Sequence, residues 1–167
     1  MTTCPLHADF IAPAMTKVFI AYPYRAAGQE IVDNIIRPAL FEQGFIAVTG
    51  PHERTDDVVS TIRASISDSA ALIAVVAGAN PNVFFEIGIA SGLGKRCLLI
   101  AASAAELAML DSTYPSVLLG RHESSQRQLR EHLRTWRGQN GTNIERTAAS
   151  DQRTATLATA GVTRSAS

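Results

Sequence analysis

The residues best suited by type and spacing to do chemistry lie in Gly78-Ala-Asn80-Pro81-Asn82-Val-Phe-Phe-Glu86-Ile-Gly88. Asn80 is a good helix N-cap and Pro81 a good first helical residue. Asn82 and Glu86 stand four apart, which puts them on one helix face. Glu86 is the only acidic residue between Asp68 and Glu106, and its neighbours are apolar. Burial should raise its pKa and the helix N-terminus should lower it, a balance the residues alone leave open. A carboxylate so placed could be a nucleophile, or could stabilise an oxocarbenium-like sugar transition state. The same residues also read as a capped helix with a solvent-facing Glu.

Two further loops could join it. Tyr22-Pro23-Tyr24-Arg25-Ala-Ala-Gly28 runs into a helix start, where backbone N–H groups and Arg25 favour an anion. Tyr22 or Tyr24 could stack on a base or hold a ribose. The alternative is an ordinary strand–helix turn. Thr49-Gly-Pro-His52-Glu-Arg-Thr-Asp-Asp57 mixes both charges and could close over a ligand, with His52 and Asp57 as lid residues. Asp56 and Asp57 read equally as cap and dipole partners. There is no dinucleotide-binding G-x-G-x-x-G and no Walker motif. A receiver-domain reading would need an Asp where this chain has Val75, Val76 and Ala77. His122, His132 and Cys97 lack ligand spacing, so neither a metal site nor a cofactor is expected.

These loops need a scaffold, and the chain alternates strand and helix patterns. Strands are predicted at Lys17–Tyr22, Phe45–Val48, Ala70–Val76, Arg96–Ala101 and Ser116–Leu119. Helices are predicted at Ala26–Gln43, from Thr55 as N-cap, at Pro81–Leu93, Ala104–Leu110 and Ser124–Arg137. Pro38 should kink or break the first helix, and Gly44 and Gly94 suit helix ends. Val83, Phe84, Phe85, Ile87 and Ile89 can pack inward. The glycines at 88 and 92 cost helix propensity, which a tight contact should offset. Leu129, Leu133 and Trp136 form a stripe, read as core rather than as a contact between copies. Alternation of this kind forces parallel strands with helices on both faces. The expected fold is α/β: a three-layer sandwich around a five-stranded parallel sheet, with flavodoxin-like strand order. Ligands bind beyond the carboxyl ends of such strands, at the switch point.

The chain has 167 residues, 15 basic and 15 acidic side chains, and is 46% hydrophobic. Zero net charge argues against a nucleic-acid polymer as partner. No apolar run is long enough for a membrane span. Residues 1–16 lack the pattern of a signal peptide and read as a loose arm. Residues 17–137 form the predicted domain. Residues 138–167, rich in Thr, Ala, Ser and Gly and without an aromatic, read as a disordered tail. Cys4 and Cys97 are far apart and point to a reducing, cytoplasmic setting.

Three stretches together carry a resemblance: Lys17-Val-Phe-Ile-Ala-Tyr-Pro-Tyr24, Ile66-Ser-Asp-Ser-Ala-Ala-Leu-Ile-Ala74, and Asn80-Pro-Asn-Val-Phe-Phe-Glu86-Ile-Gly-Ile-Ala-Ser-Gly-Leu-Gly-Lys95. Over roughly Lys17 to Ile100 the chain resembles the nucleoside 2-deoxyribosyltransferase-like superfamily, which is close in fold to TIR-like domains. The resemblance implies cleavage of the base–sugar bond of a nucleoside or nucleotide, by hydrolysis or transfer, with Glu86 attacking or stabilising the anomeric carbon. It implies Tyr22, Pro23, Tyr24, Arg25, Gly28, Gly78, Asn80 and Asn82 around the substrate, and a homo-oligomer. The transferases often carry an Asp six residues before that Glu, where this chain has Asn80. That departure favours hydrolysis of a nucleotide, or TIR-type cleavage of NAD as a substrate, over full deoxyribosyl transfer. A nucleotide-sensing module without turnover is the other reading.

Overall fold

The structure, a computed structural model, describes residues 15–51, 57–108, 110, 113–120 and 123–138. Strands β1 (Thr16–Ala21), β2 (Phe45–Thr49), β3 (Ala71–Val75), β4 (Arg96–Ala101) and β5 (Ser116–Leu118) alternate with helices. The helices are α1 (Ala26–Ile31), α2 (Arg37–Glu42), α3 (Val58–Ser67), α4 (Pro81–Gly92), α5 (Ala104–Leu107) and α6 over 123–138. Among the described residues the five strands form one parallel sheet in the order β2-β1-β3-β4-β5. That is the flavodoxin-like order expected. Of the expected arm over 1–16 and tail over 138–167, residues 1–14 and 139–167 lie outside the described residues, as do His52 and the Thr55 cap; Thr16 instead belongs to β1 and residue 138 to α6.

Period-2 alternation divides each strand between two apolar layers. Val18 and Ile20 face one layer with Ile36, Leu40, Leu129, Leu133 and Trp136. Phe19 and Ala21 face the other with Ile66, Val83, Ile87 and Ala90. The Leu129–Leu133–Trp136 stripe is thus core, as read from its spacing. β3 is buried along its whole length, which explains its unbroken apolar run. Gly44 and Gly94 take the left-handed φ that ends a helix, +74° and +64°.

Four details differ from expectation. The break around Pro38 takes the form of a π-helical segment, Val32–Ile36, directly before α2. In an α-helix the Asn34 carbonyl would look to the N–H of residue 38, and proline has none. Gln126 of α6 donates to that carbonyl at 3.0 Å instead. Gln126 also accepts from Arg130, which forks onto Glu42 at 2.6 and 2.9 Å, so polar bonds fasten α6 beside the break. α5 is one turn long, shorter than its pattern suggested. Phe85 is 49% exposed, because it lies on the helix face turned away from Val83, Ile87 and Ala90. Among the described residues the tight contact expected at the α4 glycines is also absent, since a Cβ at Gly88 or Gly92 would meet none of their atoms within 4 Å. Gly88→Ala is therefore expected to stabilise the protein by about 0.5–1 kcal/mol, read from the urea midpoint.

Candidate functional site

The sheet order places β1 and β3 side by side, while their following helices pack on opposite faces. The crevice at their carboxyl ends is the switch point, where doubly wound sheets receive ligands. The loop after β1 carries Tyr22 to Arg25, and the loop after β3 carries Val76 to Asn80. Two of the three loops singled out by residue type thus meet at one edge, while residues 52–56 of the third lie outside the described residues.

Glu86 projects from the buried side of α4 and is 5% exposed. Burial pushes its carboxyl up from the ordinary 4.5 to about 7. Desolvation is the cause, and Glu86 lies more than one turn into α4, past the turn where the helix N-terminus acts most strongly. Among the described residues no hydrogen bond joins Asn82 to Glu86. Asn82 is exposed, and its N–H goes to Asn80 Oδ1 at 2.9 Å in the N-cap predicted from Asn80-Pro81.

Across the crevice stands Tyr24. Its hydroxyl is pushed up to about 12, first by burial and then by the charges of Glu86 and Tyr22. Those couplings set Tyr24 within electrostatic range of Glu86. A Cβ on Gly50 would lie 3.0 Å from the Tyr24 hydroxyl. The missing side chain at Gly50 thus gives the ring room over the loop after β2. The sequence reading did not single out Gly50, because its role depends on a neighbour 26 residues away.

Tyr22 is 3% exposed and belongs to the core. Its hydroxyl donates to Gln29 Oε1 at 2.8 Å, and Gln29 Nε2 donates to Asp33 Oδ2 at 2.8 Å. Arg37 closes the chain on Asp33 Oδ1 at 3.1 Å. The Tyr22 ring meets the Tyr24 ring edge-on, with centroids 4.9 Å apart and planes at 67°. Tyr22 thus supports Tyr24 from below, whereas its residue type had suggested a direct ligand contact. Gln29 and Asp33 passed unnoticed in the sequence, although their spacing with Arg37 is a helical signal.

Pro23 is buried and Arg25 exposed, at the N-cap of α1. Gly28 is buried, and a Cβ there would stand 2.3 Å from the Pro23 carbonyl oxygen. Gly28 lets α1 close onto the Tyr22–Arg25 loop. Gly78 and Asn80 border the crevice from the β3 side. Asp57 caps α3, its Oδ1 accepting from Ser60 N–H at 3.3 Å. That is the capping role the paired Asp residues suggested.

No family model matches the chain, and no curated protein matches it in sequence. Solved structures do match in shape. The CMP N-glycosidase BcmB of Clostridium botulinum is 19% identical, with a TM-score of 0.53, over 68% of this chain and 98% of its own. A 2-deoxyribosyltransferase of Bacillus psychrosaccharolyticus is 13% identical, with a TM-score of 0.52, over 66% of this chain and 90% of its own. The fold is nucleoside 2-deoxyribosyltransferase-like. This agrees with the resemblance seen in the three sequence stretches. Among the described residues no helix is long and apolar enough to cross a membrane.

Proposed function

We propose that the protein cleaves the N-glycosidic bond of a nucleoside or nucleotide, with Glu86 as the reacting carboxylate. One observation carries the reading: a buried carboxylate at the switch point of a deoxyribosyltransferase-like sheet, within electrostatic reach of Tyr24 on the loop after β1. The Glu86 carboxylate attacks the anomeric carbon, the carbon–nitrogen bond breaks, and the base leaves and takes up a proton. Water then hydrolyses the glycosyl ester and frees Glu86. The same carboxylate can instead stabilise an oxocarbenium ion as water adds. Tyr24 contacts the base or sugar, Gly78, Asn80 and Asn82 line the opposite wall, and Arg25 meets a phosphate. The protein acts as a homo-oligomer.

The test is release of free base from CMP, other nucleoside monophosphates, nucleosides and NAD, followed by mass spectrometry. Glu86→Gln is expected to lower the rate by about a thousandfold or more. Because Glu86 must be ionised to attack, the wild-type rate should climb as pH rises through about 7. A rate that falls over that range would make Glu86 a general acid. Equal rates for wild type and Glu86→Gln, or no cleavage by either, overturn the catalytic reading. Nucleotide binding without turnover would point to a sensor.

A further inference from the structure

Glu106 lies outside the crevice residues and yet is tied to them. It ends the pattern Ser103-Ala-Ala-Glu106 at the start of α5, the sequence of a capping box. The box is not closed, since Ser103 makes no side-chain cap bond; Glu106 Oε2 instead reaches past the N-cap and accepts from Ala102 N–H at 2.8 Å. The other oxygen is spent elsewhere. Oε1 accepts from Gly78 N–H at 3.2 Å, across 28 residues of chain. One side chain thus bridges backbone donors beyond the carboxyl ends of the neighbouring strands β3 and β4.

The segment it grips is unusual. Gly78 has φ +71° and Ala79 φ +49°, a left-handed conformation that an alanine resists. Such a conformation persists where its surroundings over-determine it. Ala79 N–H bonds to the Val76 carbonyl at 3.3 Å, and Val76 N–H to the Ile100 carbonyl at 2.9 Å. Asn80 follows at once as the cap of α4, then Pro81 as its first residue. No slack residue separates the gripped amide from the helix that carries Glu86.

We propose that Glu106 is a positioning residue: its carboxylate clamps the loop after β3 and thereby fixes where α4 presents Glu86. The proposal rests on the reading of Glu86 as the reacting carboxylate. Glu106 acts through backbone amides and touches no reacting atom.

The experiment joins native-state hydrogen exchange to steady-state cleavage in wild type, Glu106→Ala and Glu106→Gln. Ala105→Gly is the control that loosens α5 without removing the carboxylate. In Glu106→Ala the amides of Gly78 and the first turns of α4 should exchange at least about tenfold faster. kcat should fall at least about tenfold with KM within about threefold, since a small misplacement of a reacting group acts on the chemical step. Glu106→Gln keeps one acceptor for two donors and should fall between. Unchanged exchange at Gly78 and α4 overturns the clamp, whether or not the protein cleaves any nucleotide. Altered exchange with unchanged kcat overturns the positioning role, as does a rise in KM alone. A loss of kcat in Ala105→Gly equal to that in Glu106→Ala would assign the effect to α5 order and also overturn it. A wild type that cleaves nothing overturns the Glu86 reading and the catalytic consequence, while exchange still decides the clamp.

Discussion

Glu86→Gln is expected to stabilise the protein by about 3 kcal/mol at pH 8 and to leave its stability nearly unchanged at pH 4. The size follows from a carboxyl held near 7 in the fold and near 4.5 in the open chain, at about 1.4 kcal/mol per pH unit. The sign follows from proton binding. Between those values the folded state holds the proton more tightly than the unfolded state, so wild-type stability falls as pH rises through the window. Below about 4.5 the carboxyl is neutral in both states and costs nothing extra. Above about 7 the penalty for burying the charge is complete. Glutamine has nearly the same shape and no charge, so it escapes the penalty. Urea denaturation of both proteins at pH 4 and pH 8 measures the difference. A gain of equal size at both values would trace the effect to packing instead. Together with the expected loss of cleavage, a gain at high pH would mark Glu86 as a residue kept at a cost in stability.

Gly28→Ala is expected to cost about 2–3 kcal/mol, a large effect for one methyl group. The added Cβ would stand 2.3 Å from the Pro23 carbonyl oxygen and 3.4 Å from its carbon. Both are backbone atoms, so no side chain can swing aside. Either α1 lifts away or the Tyr22–Arg25 loop shifts, and the Arg25 N–H bond to the Pro23 carbonyl, 2.7 Å long, goes with it. The urea midpoint should drop with the slope unchanged. Because Tyr24 belongs to that loop, nucleotide affinity should fall in the same variant. A protein of wild-type stability would mean that loop and helix separate freely, against the close contact between them.

What could be read from the residues follows a physical division. Local signals depend on a few neighbours in the chain. Asn80-Pro81 announces a capped helix, Gly44 and Gly94 announce helix ends, and the apolar run of β3 announces a strand covered on both faces. The alternation of such elements leaves few topologies, and the parallel order 2-1-3-4-5 was among them. The choice of the β1 and β3 loops followed from the same rule. A pattern also misleads where it says nothing about partners. Phe85 reads as core by type, and Gly88 reads as a contact, yet both face outward.

By itself, then, the order of residues specified the elements, their parallel pairing and the edge where chemistry would sit. It named Glu86, Tyr24 and Asn80 by type. Only the tertiary structure decided what surrounds them. The Glu86 carboxyl rises to about 7 because α4 turns it toward the sheet, and desolvation depends on every atom nearby rather than on adjacent residues. Tyr22 became a support because Gln29 reached its hydroxyl. Glu106 came into view because one of its oxygens crosses to Gly78. Ser103-Ala-Ala-Glu106 is written in four consecutive letters, but where the two carboxylate oxygens of Glu106 go is set by how β3 and β4 lie together.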